Sequence, residues 1–113
     1  MIIYNVTVKV QPAIAAEWLQ WMQGEHMPEI MATGYFTASR ICHLLEMDES
    51  DGVTYSVQYT ATDMSQYQRY IAEHAPALRE KTMKAFGDRL IAFRTVMEIV
   101  SSLEGDSPAP GSN

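Results

Sequence analysis

A chain of 113 residues, 47% hydrophobic and 19% charged, suits one domain with a single core and excludes a disordered polar polymer. A formal charge of −6, with no cluster of Lys and Arg, argues against a nucleic-acid surface. No apolar run approaches the roughly 20 residues of a membrane span, no secretory leader is expected at the start, and the lone Cys42 reads as a small sheet residue of a cytoplasmic protein.

Ile2 to Val10 alternates, with Ile2, Tyr4, Val6, Val8 and Val10 opposite Ile3, Asn5, Thr7 and Lys9, and this predicts the first strand. Gln11-Pro12 stops it, since proline has no amide hydrogen to donate and suits the first turn of a helix. From Ala13 the period becomes helical, with Ile14, Ala15, Trp18, Leu19, Trp21 and Met22 as a broad apolar stripe. Pro28 is expected to bend or end this helix near His26 or Met27. A further turn from Pro28 then closes at Gly34.

Tyr35 to Met47 reads as the second strand, with the inward face undetermined. The acidic stretch Met47 to Gly52 should turn the chain back into Val53 to Ala61 as an antiparallel hairpin. Here Val53, Tyr55, Val57, Tyr59 and Ala61 oppose Thr54, Ser56, Gln58 and Thr60, and the absence of charge suits a central strand. Asp63 with Gln66 three residues on forms a capping signal. The second helix presents Met64, Tyr67, Ile71, Ala75 and Leu78 on one face, breaks at Pro76, resumes to Phe86 and ends at Gly87. Arg89 to Val100 is the fourth strand, with Ile91, Phe93, Thr95, Met97 and Ile99 on one face and Ala92, Arg94, Val96 and Glu98 on the other. Residues 102–113 read as a flexible tail, leaving residues 1–101 as the domain.

The order is the ferredoxin-like βαββαβ plan of the α+β class: a four-stranded antiparallel sheet, the first and third strands central, and two helices on one face. The other face would gather Asn5, Thr7, Thr54, Ser56, Gln58 and Thr60 into a neutral polar surface. Packing it on a second copy about a two-fold axis would satisfy it, which predicts a homodimer through the sheet face.

The opening MIIYNVTV, the EWLQWM helix, HMPEIMATG, GVTYSVQYT and the closing FGDRLIAFRTV resemble a bacterial family of about this length, an uncharacterised domain of unknown function in the dimeric α+β barrel superfamily. The resemblance covers about the first hundred residues and implies the fold and the dimer, with no activity of its own to carry over. The wider superfamily includes small monooxygenases, isomerases, haem-degrading enzymes and ligand-sensing modules. In its haem-degrading members an asparagine of the first strand and a histidine of the second helix correspond to Asn5 and His74. Those members also use a tryptophan near the start of the second helix, where this chain has Tyr67 as its nearest aromatic.

Candidate chemistry centres on a repeated tetrapeptide, Glu25-His26-Met27-Pro28 and Glu73-His74-Ala75-Pro76. Two imidazoles beside carboxylates could move protons near neutral pH; the plainer alternative is a proline bend at which each histidine bonds a freed backbone carbonyl. Arg40 and Arg94, each within a strand, either pair with Glu46 or Glu98 or offer a fork to an anionic ligand. Tyr4, Tyr55 and Tyr59 are either aromatic core or the wall of a pocket between helices and sheet. No phosphate loop, paired cysteines, metalloprotease helix or nucleophile elbow occurs, and His26, His43 and His74 are too scattered for a metal, so neither metal nor cofactor is expected.

Two functions follow as expectations. The first is a small-molecule-binding or interaction module without turnover. The alternative is a cofactor-independent monooxygenase- or isomerase-type enzyme, with His26 or His74 as proton carrier, Arg94 or Arg40 as anion anchor and Asn5 as polariser.

Overall fold

The computed structural model describes residues 1–106. Strands β1 (Ile2–Val10), β2 (Ala38–His43), β3 (Val53–Ala61) and β4 (Leu90–Glu98) form one antiparallel sheet in the order β2-β3-β1-β4. The two uncharged alternating segments are therefore the central pair, in register from Ile2 opposite Ala61 to Val10 opposite Val53. Helices α1 (Ala15–Trp21), α2 (Met27–Ala32), α3 (Met64–Glu73) and α4 (Ala75–Phe86) cover one face. Their Trp18, Ile30, Tyr70 and Leu78 join Tyr4, Val8, Val57 and Tyr59 of the sheet in one core. The fold is the expected ferredoxin-like α+β plan.

The two prolines act differently. Pro76 sits in the first turn of α4, and the chain breaks just ahead of it at His74 (φ −125°, ψ −34°), as the sequence predicts. Pro28 does not end its helix. Met27, immediately before it, keeps helical angles (φ −61°, ψ −45°), so of the expected bend or end the end does not occur. The turn before Pro28 widens instead into a π segment, Met22–His26, in which the Met27 amide reaches back five residues to the Met22 carbonyl. A wider turn separates the proline ring from the carbonyl four residues back, at Gly24, with which it would otherwise clash. Gly34 ends the arm at φ 82°, a left-handed angle that favours glycine.

The second strand is shorter than the expected Tyr35 to Met47. Tyr35 turns its hydroxyl to Glu73 on α3, and Phe36 enters the core at 5% exposure. Beyond His43, one further ladder bond joins the Leu44 amide to the Thr54 carbonyl, at 3.0 Å. Glu46 then takes a left-handed angle (φ 59°), which no strand continues through. In α3 the buried residue is Tyr70, whereas Met64, expected inward, stays exposed at the helix start. The Asp63 cap forms as expected, its carboxylate accepting the Gln66 amide at 3.0 Å.

The register also settles the faces of β2 and β4. Val96, Arg94, Ala92 and Leu90 pair with Tyr4, Val6, Val8 and Val10 and so look toward the helices; Ile91, Phe93, Thr95 and Met97 look away. Likewise Ala38, Arg40 and Cys42 pair with Thr60, Gln58 and Ser56 on the open face. The tail expected over residues 102–113 lies, from residue 107 onward, outside the described residues; residues 102–106 are exposed and without regular structure.

Candidate functional site: a cleft between helices and sheet

The helical layer does not close completely on β1 and β4. A cavity of about 50 Å³ lies between them, walled by Val6, Val57, Trp18, Met22, Ile30 and Leu78, with Tyr4, Tyr59, Tyr70, His26, Thr82, Arg79 and Arg94 as its polar groups. No Asp or Glu lines it. Room for a few water-sized groups is enough for the head of a small ligand.

The polar groups come from β1, β3, the Met22–His26 segment, α3, α4 and β4. Tyr4 stands on central β1, and its ring packs against Phe36, Tyr59, Tyr67 and Tyr70 at centroid distances of 5.3–6.2 Å, an aromatic box that fixes its direction. Its hydroxyl accepts two hydrogen bonds, from Arg79 Nη2 of α4 at 3.2 Å and from Arg94 Nε of β4 at 3.1 Å. Both lone pairs are then occupied, and among the described residues nothing receives the Tyr4 proton in return. Neither arginine has a carboxylate within ion-pairing distance among the described residues. The Arg94–Glu98 pair considered from sequence does not form. Burial pushes the Tyr59 and Tyr70 phenols well above the usual range, so both stay protonated donors at neutral pH.

His26 closes the π segment, and the widened turn sets it over Trp21, five residues earlier: the rings stack at 4.5 Å and 17°. Its Nδ1 is fully buried without a hydrogen-bond partner. The expected bond from His26 to a freed carbonyl is therefore absent at that atom. Burial first, and the charges of Lys81 and Arg94 after it, lower its pKa to about 4 against the opposing pull of Glu29. The imidazole is neutral at pH 7, with one ring nitrogen that buried polar groups rarely leave unsatisfied.

The remaining candidates lie elsewhere. Tyr55 shares the helix-facing side but packs against Trp18 and His43, at 5.0 and 5.2 Å, and does not line the cavity. His74 sits in a separate shallow groove with Glu29, Glu73 and Lys81, its Nε2 4.0 Å from Glu73. Glu73 is engaged by the Tyr35 hydroxyl, which raises the Tyr35 pKa. Asn5 and Arg40 are on the opposite face of the sheet. Asn5 donates to Thr7 and Thr95 at 3.1 and 3.2 Å and accepts from Ser56 at 2.6 Å. Gln58 donates to Ser56 at 3.3 Å and receives Arg40 Nε at 2.8 Å. This polar ribbon crosses all four strands, and Arg40 finds Gln58 where an ion pair with Glu46 was considered. Because Asn5 and His74 face away from each other across the sheet, the haem-type pairing of the two has no common site within one chain.

Among the described residues, no three His, Cys, Asp or Glu side chains come together as a metal-binding group, and no helix is long and apolar enough to cross a membrane. Arg79, Thr82 and Tyr70 also line the cavity, and sequence reasoning missed them. The available signal was their spacing: Leu78, Arg79 and Thr82 share one side of α4, and Tyr67, Tyr70 and Ile71 one side of α3.

The fold and cleft define a ferredoxin-like α+β domain with a small pocket under its helices. Residues 1–100 match the family described as "Domain of unknown function (DUF4286)", and the chain belongs to that family. No curated protein matches the sequence. Among solved structures, the chain is similar to an ethyl tert-butyl ether (EthD) family protein from Bacillus halodurans, with a TM-score of 0.61, 17% identity, and 88% of this chain and 99% of that one covered. It is also similar to a candidate antibiotic biosynthesis monooxygenase from Deinococcus radiodurans, with a TM-score of 0.59, 14% identity, and 95% and 100% covered. At such identities the likeness is one of fold.

Proposed function

We propose that this protein is a cytoplasmic homodimer that binds a small organic molecule in the cleft between its helices and sheet. The observation that carries the reading is His26: a neutral imidazole lining a cavity, with a buried nitrogen that the protein leaves unbonded. A purely structural histidine would have been given a carbonyl, since an unsatisfied buried polar atom costs about 1–3 kcal/mol. Support for the homodimer comes from the open face. Its polar ribbon is flanked by Ile91 and Phe93 of β4, 70% and 61% exposed, and an exposed apolar stripe beside a satisfied polar one is characteristic of a contact surface.

A second reading is favoured by the same histidine together with the fold shared with the two solved neighbours. In it the cleft turns its ligand over without a cofactor, Arg94 holding the negative charge that develops and His26, kept neutral by burial, serving only as a weak proton acceptor. Asn5, on the far face, has no part in that chemistry within one subunit.

A panel of small carboxylates, quinones, neutral amides and haem, followed by melting temperature and by tryptophan fluorescence, tests the binding reading, because Trp18 lines the cavity and Trp21 stacks on His26. A ligand that raises the melting temperature and changes the emission in a His26-dependent way supports it. If no compound does either, the cleft is a packing defect and the reading falls.

A further inference from the structure

We propose that the ligand of the cleft is a small organic anion, a carboxylate or enolate, whose charged oxygen is held jointly by Arg79 and Arg94 beside the Tyr4 hydroxyl. This rests on the cleft being the ligand site and adds the charge and size of what it takes. Two guanidinium groups, from helix α4 and edge strand β4, converge on one phenol oxygen at 3.2 and 3.1 Å. Each commits one N–H to Tyr4 and keeps others free. In a chain with a formal charge of −6, acidic side chains are plentiful, yet none lines the cavity and none pairs with either arginine among the described residues.

Two like charges drawn to one neutral acceptor repel each other, and an anion between them removes that repulsion while satisfying the free donors. The charged groups of the cleft are both arginines, and the hydroxyls of Tyr4, Tyr59 and Tyr70 beside them can donate to a negative oxygen. A cationic ligand, such as an ammonium, would meet two positive charges and no carboxylate. Arg79 and Arg94 are themselves exposed, so the charged end of the ligand is taken at the mouth. The aliphatic and aromatic wall behind it, with about 50 Å³ of space, accepts a short apolar body.

The test compares matched pairs, propionate with propionamide and benzoate with benzamide, by calorimetric titration of the full chain at low and moderate salt. The acids are expected to bind about tenfold or more tighter than their amides, the size of effect that a charge-assisted bidentate contact confers. Arg79→Met and Arg94→Met should each remove that preference, Arg94→Lys should restore part of it, and Arg69→Met, outside the cleft, should leave it intact. Circular dichroism confirms that each variant is folded. Acid and amide binding equally, with both displaced by blocking the cleft through Val6→Trp, overturns the anion inference and leaves the cleft as a ligand site. Neither acid nor amide binding overturns the inference as well; neutral compounds of the wider panel that still bind would then keep the cleft as a ligand site.

Discussion

His26 lies flat on Trp21, ring centroids 4.5 Å apart and planes inclined by 17°, with its Nδ1 buried and unbonded. Such an imidazole resists protonation. Its folded pKa of about 4 lies below its ordinary 6.5, so between these values the unfolded chain binds a proton that the folded one refuses. Stability is therefore full above about pH 6.5, falls as the pH drops toward 4, and loses no more from this group below that. The loss should be on the order of 2–3 kcal/mol, allowing for partial solvent access. Urea titrations at a series of pH values check this, and His26→Gln should flatten the slope within that window.

Pro28→Ala should restore an amide donor and remove the ring that forces the turn open at Met22–His26. The helix is then free to relax from the π to the α repeat, which rotates His26 away from Trp21. The expected result is an unchanged or raised melting temperature together with a His26 pKa closer to 6.5, read by proton NMR of the imidazole. A pKa still near 4 would mean that the π turn is not what places the ring.

The central sheet was legible because residues 2–10 and 53–61 alternate without interruption, and a period of two leaves only one way to bury Tyr4 and Tyr59 together. Strand β2 is shorter than its composition suggests: Tyr35 and Phe36 have strand-like chemistry but are held by Glu73 and the core. Pro28 does not end the helix because a local steric rule met a tertiary constraint, Trp18 and Ile30 both having to reach the sheet along one arm. Half of the cleft was legible as well, through His26, Arg94, Tyr4 and Tyr59. Arg79 was not, because its place beside Leu78 and Thr82 on one side of α4 does not reveal its partner, which is Tyr4, 75 residues away. The faces of Arg40 and Arg94 depend on register across the sheet, which their own strands do not encode.

Phe93→Asp should turn the proposed dimer into a folded monomer. The side chain is 61% exposed on the open face of an edge strand, so a charge there costs little within one subunit but much in an apolar contact. Sedimentation velocity reads the change, with unaltered circular dichroism. A wild-type chain already monomeric at tens of micromolar would dispose of the sheet-face assembly.

Trp18→Ala should be the most damaging single truncation in the helical layer. Trp18 is 1% exposed and packs on Tyr55 at 5.0 Å, and losing a buried tryptophan leaves a void costing about 3–5 kcal/mol. Denaturant unfolding measures this. Asp63→Ala, which removes only the α3 cap, should cost about 1 kcal/mol by comparison.

The most direct measurement of whether the cleft is a ligand site is the nitrogen-15 spectrum of the His26 imidazole, recorded near pH 5.5 without and with propionate or benzoate. A working site gives a neutral ring in the free protein and a shift of the imidazole nitrogens as the ligand fills the cavity. A ring already protonated at that pH, or one whose nitrogens ignore every ligand that binds, would contradict it.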